Sequence, residues 1–254
     1  MSRYSVYFSP TGGTAKVMNI LGEALRVEKE IDFLSGEFAE EKTAFTAEDI
    51  CLVGVPSYGG RVPQIALDKI AKLEAGGARA AAVVVFGNRA YDDTLLELKN
   101  VLTDKGFRVV AAVAAVAEHS IMRQFGAGRP DEQDRQELIS FAAEIEKVLE
   151  EGRQAYNLIV PGNEPYRQYG GVPFTPKADK TCTACGLCAK ECPAMAISLE
   201  NPSVTDSTKC IACMRCVAIC PQQARGLNKL MLGMASQKMK KACESRKANE
   251  LFCS

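Results

Sequence analysis

Apolar and polar positions alternate in blocks along the first 152 residues. Strand candidates fall at 3–8, 28–34, 50–55, 80–86 and 108–116, most of them short apolar runs. Most lack the in–out alternation of a half-exposed strand, as expected for parallel strands buried on both faces. Helical stretches lie between them, at 14–25, 64–73, 91–105 and 131–151. Strand–helix alternation with short connections predicts a doubly wound parallel sheet, and five strands suit the order 2-1-3-4-5. Regular periodicity then stops. Residues 153–176 hold Pro161, Gly162, Pro165, Gly170, Gly171, Pro173 and Pro176 and read as a linker. Its aromatics, Tyr156, Tyr166, Tyr169 and Phe174, predict that it packs against something. Residues 226–254 read as a helical extension rich in Lys and Met.

Composition changes this picture in one place. The chain has 254 residues, 47% hydrophobic, which suits two modules with a real core. Net charge is zero but uneven: residues 1–152 carry 17 basic and 24 acidic residues, and residues 226–254 carry 6 and 2. That asymmetry is too mild for nucleic acid, and no basic–aromatic stripe supports it. No apolar run approaches the length of a membrane span, and the start at Met1 goes straight into a strand pattern. The expectation is a cytoplasmic protein without a membrane span. Eleven cysteines are the informative excess, eight of them between 182 and 220. A tight cluster of this kind indicates metal rather than disulfides.

Those eight form two matched units, Cys182-x-x-Cys185-x-x-Cys188-x-x-x-Cys192-Pro193 and Cys210-x-x-Cys213-x-x-Cys216-x-x-x-Cys220-Pro221, offset by 28 residues. Three cysteines at this spacing wrap a loop around one iron–sulfur cube, and the fourth, before Pro, reaches the other cube. One [4Fe–4S] cluster is therefore expected on Cys182, Cys185, Cys188 and Cys220, and a second on Cys210, Cys213, Cys216 and Cys192. Structural zinc is the competing reading, but zinc sites favour isolated Cys-x-x-Cys pairs, often with His. The spacing resembles bacterial two-cluster ferredoxins over residues 177–225, which implies a small α+β domain there.

After the first strand comes Ser9-Pro10-Thr11-Gly12-Gly13-Thr14, where a helix begins. A helix N-terminus offers free N–H groups to a phosphate, hydroxyls add donors, and glycines allow close approach. Without a Lys or a Walker pattern, a nucleoside triphosphate is not expected. The loop resembles the FMN-phosphate loop of flavodoxins, and candidate contacts are Ser9, Thr11, Gly12, Gly13 and Thr14. That resemblance implies a flavodoxin-like sheet. It also implies that the loops after strands three and four hold the flavin ring: Ser57, Tyr58, Gly59, Gly60 and Arg61, then Gly87, Asn88, Arg89, Tyr91 and Asp92. Tyr58 or Tyr91 would stack on the ring, and Gly59 or Gly60 would present a peptide to flavin N5. Arg61 or Arg89 near the pyrimidine end would favour the reduced flavin; the rival placement puts both on the surface, against acidic helices.

These motifs, with the end around Cys243-Glu244-Ser245-Arg246-Lys247, resemble a family of flavodoxin–ferredoxin fusions, the EFR-type ferredoxins. The resemblance implies electron transfer between two [4Fe–4S] clusters and FMN, relayed between a soluble donor protein and an unknown acceptor. The alternative is a flavin-dependent reductase of a small molecule fed by its own clusters. A cluster-based sensor would need an effector segment that the sequence lacks. Partner identity and oligomeric state, a homodimer included, stay open. Other residues have bland expectations: His119, the one histidine, solvated after strand five; Cys51 in the core; Cys243 and Cys253 spare thiols; Met195, Met214, Met231 and Met234 packed around the clusters.

Overall fold

The computed structural model describes residues 1–35, 43–150 and 158–254. Five strands run parallel: β1 Arg3–Tyr7, β2 Lys29–Asp32, β3 Ile50–Pro56, β4 Arg79–Phe86 and β5 Arg108–Val116. Their order is β2-β1-β3-β4-β5, the flavodoxin-like doubly wound arrangement. The helices are α1 Gly13–Ala24, α2 Gln64–Ile70, α3 Thr94–Asp104 and α4 Glu132–Glu150. The expected end of the last helix at 151, the domain boundary at 152–153 and Tyr156 lie outside the described residues.

Both sheet faces are covered over β3, β4 and β5, which is why these read as continuous apolar runs, while β2 at the edge is partly exposed. On one face Val17, Met18 and Leu21 of α1 and Leu138, Ala142 and Ile145 of α4 pack over Leu52, Val83 and Val113. On the other, Ala66 and Ile70 of α2 and Leu95, Leu98 and Leu102 of α3 pack over Val53, Val84 and Ala114. Small residues dominate β4 and β5, so the helices sit close. The segment after the undescribed stretch joins this core through buried Leu158 and Val160. Farther on, Asn163 and Arg167 donate backbone N–H bonds to the buried Asp93 carboxylate at 2.9 and 2.7 Å. The expected linker is thus laid along the sheet domain, as its aromatics suggested.

A second, two-stranded antiparallel sheet pairs β6 Lys177–Ala178 with β7 Arg225–Gly226. Between them the two cysteine units fold alike. The short helices α5 Leu187–Lys190 and α6 Arg215–Ala218 sit at the 28-residue offset. Left-handed residues recur at the same offset: Ala184 and Ala212 both at φ 53°, Gly186 and Met214 at 78° and 61°, Met195 and Gln223 at 48° and 51°. The sequence repeat is a backbone repeat.

The helical expectation for residues 226–254 holds only in part. Helix α7 spans Lys229–Cys243, capped by the Asn228 side chain accepting from the Met231 N–H. Beyond it the chain returns to the main sheet as β8 Glu250–Cys253, antiparallel to β5, a sixth strand. The strand pairs at a buried sheet edge that periodicity does not reveal. The methionines also divide. Met214 is buried, whereas Met195, Met231 and Met234 are exposed, Met195 by 80%.

Candidate functional site

Ligands of open α/β sheets bind beyond the carboxyl ends of the strands, where strand order reverses. Here that point lies between β1 and β3. The chain leaves β1 through Phe8 and Ser9 and turns at Gly12, φ 84°, before α1 begins. Ser9 Oγ accepts the Ala15 N–H at 2.9 Å and fixes this turn. Ser9, Thr11, Gly13 and Thr14 form one wall of a cleft whose other walls are Ser57, Tyr58, Gly87, Glu118, His119 and Ser120. Gly12 shapes the turn without lining the cleft.

The cleft continues into a cavity of about 360 Å³. Ser57, Tyr58, Gly87, His119 and Ser120 line both. Gly59, Gly60, Arg89 and Ala90 line the cavity on the sheet side; Tyr169 and Phe174 come from the expected linker, and Lys238 and Met239 from α7. Gly59, at φ 60°, faces the Tyr169 ring so closely that a Cβ there would collide with it. The expected ring loops therefore border one continuous space, closed from outside by segments distant in the sequence.

Five of the expected contacts have side chains bonded elsewhere. Arg61 makes a paired contact with Glu97 of α3, Nε to Oε2 at 2.8 Å and Nη2 to Oε1 at 2.6 Å, and donates to the Arg167 carbonyl at 2.8 Å. This is the rival placement, against an acidic helix, since the Arg61 guanidinium finds the buried Glu97 before it finds the cavity. Asn88, buried at φ 61°, donates to the Cys243 and Ser245 carbonyls at 2.6 and 3.0 Å. Its oxygen accepts the Lys247 N–H at 3.1 Å. The Tyr91 hydroxyl binds Glu250 of β8, and its ring packs edge-on to Phe86. Asp92 pairs with Arg89 and Arg167. Ser57 lines the cleft, but its hydroxyl is shared with Thr94 at 2.7 Å.

His119 is not simply solvated. Its Nδ1 accepts the N–H groups of Ile121 and Met122 at 3.1 and 3.2 Å. Burial, and secondarily the charge of Arg89, pushes its pKa down to about 4. A neutral imidazole with an accepting Nδ1 carries its proton on Nε2, so His119 offers the cavity wall a hydrogen-bond donor. Tyr169, Phe174 and Lys238 were beyond sequence reasoning as site residues; the aromatic content of a Gly/Pro-rich stretch was the available signal for the first two.

The cysteines gather in two groups. Cys182, Cys185, Cys188 and Cys220 line one small cavity, together with Gly186, Pro202 and Arg225. Cys192, Cys210, Cys213 and Cys216 line another, together with Ile197, Ile211 and Arg215. Cys192 thus lies with the cysteines of the second unit, and Cys220 with those of the first. Backbone N–H groups point at several sulfurs: Ala196 to Cys192 and Ala224 to Cys220, both at 3.3 Å, and Ala212 to Cys210 at 3.4 Å. Burial holds the thiols of Cys213 up at about 12 and Cys216 at about 11. Arg215 Nε is buried without a partner at the second cavity. Among the described residues no three His, Cys, Asp or Glu donors converge on a point where one metal ion would fit. An iron–sulfur cube, which takes each thiolate on a separate iron, fits this wider donor set and supplies sulfides for unpaired N–H groups.

Cys243 is buried among Met122, Phe125 and Phe174, and Cys51 lies in the sheet core. Cys253 is exposed on β8. No helix among the described residues is long and apolar enough to cross a membrane.

Known proteins resemble the two parts separately. Residues 181–244 match the family described as a 4Fe-4S dicluster domain. A stretch of 44 residues is 54% identical to a subunit of the ion-translocating oxidoreductase complex of Methanosarcina acetivorans. That stretch is 17% of this chain and 17% of the relative, so the chain matches less than a fifth of that protein's length. Among solved structures, a flavodoxin from the domain Archaea is 19% identical, covers 59% of this chain and 99% of its own, and superposes with a TM-score of 0.42. Oxidised flavodoxin 2 of Bacillus cereus is 15% identical over 58% of this chain and 99% of its own, with a TM-score of 0.41. The strand order of the sheet and the domain match together define the class: a flavodoxin-like fold carrying a 4Fe–4S ferredoxin-like domain, an electron-transfer architecture.

Proposed function

We propose that this chain passes electrons between two [4Fe–4S] clusters and an FMN, as a relay between a soluble donor protein and an acceptor. The clusters would be held by Cys182, Cys185, Cys188 and Cys220, and by Cys210, Cys213, Cys216 and Cys192. The flavin phosphate would meet the Ser9–Thr14 loop, and the ring would enter the cavity between Tyr58 and Tyr169. In this reading residues 1–152 are the flavin module, 153–176 the linker, 177–225 the cluster module and 226–254 the C-terminal extension. The likeness to EFR-type fusions is of the same kind.

The observation that carries the reading is a shared wall. Ile211, between the ligand candidates Cys210 and Cys213, lines both the second thiol cavity and the larger cavity. Ile211 is common to both cavities, so a cluster there would neighbour the flavin ring. FMN accepts two electrons and a cluster hands over one at a time, so adjacency on one chain makes a one-/two-electron converter. The chain's own part is to hold both groups close and to exclude water with Tyr169, Phe174 and Met239. A cavity walled mainly by apolar side chains, with the cluster loops on one side, favours this relay over a small-molecule reductase.

Anaerobic purification tests it directly. The expected content is about eight irons and about eight acid-labile sulfides per chain, with FMN bound far more tightly than riboflavin. Each charge-assisted hydrogen bond lost with the phosphate costs about 1.5–3 kcal/mol. Stoichiometric zinc without sulfide, or equal affinity for the two flavins, overturns the reading.

A further inference from the structure

Arg225 is a buried cation without a carboxylate. It sits in β7, opposite Ala178 of β6, and is 4% exposed. Each of its three nitrogens is engaged. Nε reaches Cys188 Sγ at 3.2 Å, Nη1 reaches the Thr205 hydroxyl at 2.8 Å, and Nη2 binds the Pro202 carbonyl. The hydroxyl and the carbonyl are neutral, and no ion pair of Arg225 with Asp or Glu exists among the described residues. A guanidinium cannot shed its charge in a protein, and a buried charge without a counter-charge costs several kcal/mol. The sulfur of Cys188 is the one partner able to supply that counter-charge.

The two cavities differ in this respect. Arg225 lines the first. The arginine lining the second, Arg215, is paired with Glu191, so its charge is offset. The Arg225 charge also reaches Cys210 and Cys216, but its hydrogen bond goes to a first-cavity thiol.

We propose that Arg225 is the counter-ion of an anionic cluster held by Cys182, Cys185, Cys188 and Cys220, and that it sets that cluster's reduction potential above its neighbour's. The proposal rests on the cluster assignment above. Reduction adds one electron and one negative charge to the cluster, and a fixed cation hydrogen-bonded to a ligand sulfur stabilises the added charge. Net charge and hydrogen bonds to sulfur are the levers that set such potentials. The cluster farther from the flavin cavity then fills first, and the one beside Ile211 passes electrons on at lower potential.

The test is a dithionite titration of the anaerobically purified full chain, followed by electron paramagnetic resonance. The wild-type chain should show two separated one-electron steps. Cys185→Ser, which alters a thiol of the first cavity alone, should move the upper step; movement of the lower step overturns the order. Arg225→Gln removes the charge and should shift the upper step to lower potential by more than the lower one, with iron and flavin content unchanged. Arg225→Lys keeps the charge and should recover most of the shift. Equal shifts in both steps, or none, overturn the proposal. If Arg225→Gln loses a cluster, Arg225→Lys and the Cys185→Ser assignment still decide it. A wild-type chain without sulfide would instead end the cluster assignment itself, so the two failures are distinguishable.

Discussion

Arg61 and Arg89 stand in equivalent loops after β3 and β4, yet their surroundings give them different roles. Glu97 is 4% exposed and takes both the Arg61 guanidinium and the Val62 N–H. Removing one partner of such a pair strands the other, so Arg61→Gln should cost about 3 kcal/mol. It should leave the FMN potential unchanged. Arg89 lines the cavity with Arg167, and the two share one carboxylate, Asp92, which leaves a net positive charge. There the positive charge favours reduced, anionic flavin, so Arg89→Gln should lower the FMN potential, by roughly 30 mV per 1.4 kcal/mol of lost stabilisation for the two-electron couple. Chemical denaturation separates the first effect and potentiometry the second. A potential shift in Arg61→Gln, or none in Arg89→Gln with flavin fully bound, would reverse these roles.

At the scale of elements, the C-terminal tail is the part whose form departs from its pattern. Lys and Met content suggested helix to the end, and α7 honours that as far as Cys243. The tail beyond it is fixed by polar contacts from distant elements. Asn88 holds the carbonyls that end α7, Arg246 pairs with Asp131 at 2.6 Å, and Arg129 donates to the Lys247 carbonyl at 2.8 Å. Asn249 accepts the Val116 N–H at 2.9 Å, which ends β5 and starts the antiparallel edge. Asn tolerates the left-handed backbone at position 88, so Asn88→Gly keeps the turn and removes only the bonds. Each buried group it strands costs about 1–3 kcal/mol. Amide hydrogen exchange in 250–253 should speed up markedly, with iron content constant; unchanged protection would mean that β8 pairing and Asn249 hold the tail alone.

The whole molecule is built so that two cavities share a wall residue, Ile211, and Cys192 and Cys220 each line the cavity of the other cysteine unit. Under the proposed assignment Cys192→Ala removes a thiolate from the cluster beside Ile211. Iron should fall toward about half of the wild-type content, and chemically supplied electrons should reach the flavin more slowly. Loss of the other cluster's signal alone would show that the ligand sets are not crossed. How much of this was legible in the chain follows from the range of each signal. Parallel strands buried on both faces must be apolar, so β3, β4 and β5 were written in local runs, whereas the edge strand β2, Lys29-Glu30-Ile31-Asp32, is mostly charged and partly exposed. Cluster-type cysteine spacing reflects the fixed size of a cube, so the 4Fe–4S domain was readable from local spacing. The turn from β1 into α1 was readable too, because it closes within six residues. What the sequence could not decide is which long-range partner each side chain meets. Arg61 and Asn88 sit in the expected loops, but ion pairing and hydrogen bonding across 36 and 155 residues took them from the cavity. The cavity itself is closed by Tyr169, Phe174 and Lys238, which come together only when linker and α7 fold back over the sheet. Local periodicity and spacing determined the modules and their chemistry; the packing of one module on the other decided where that chemistry meets.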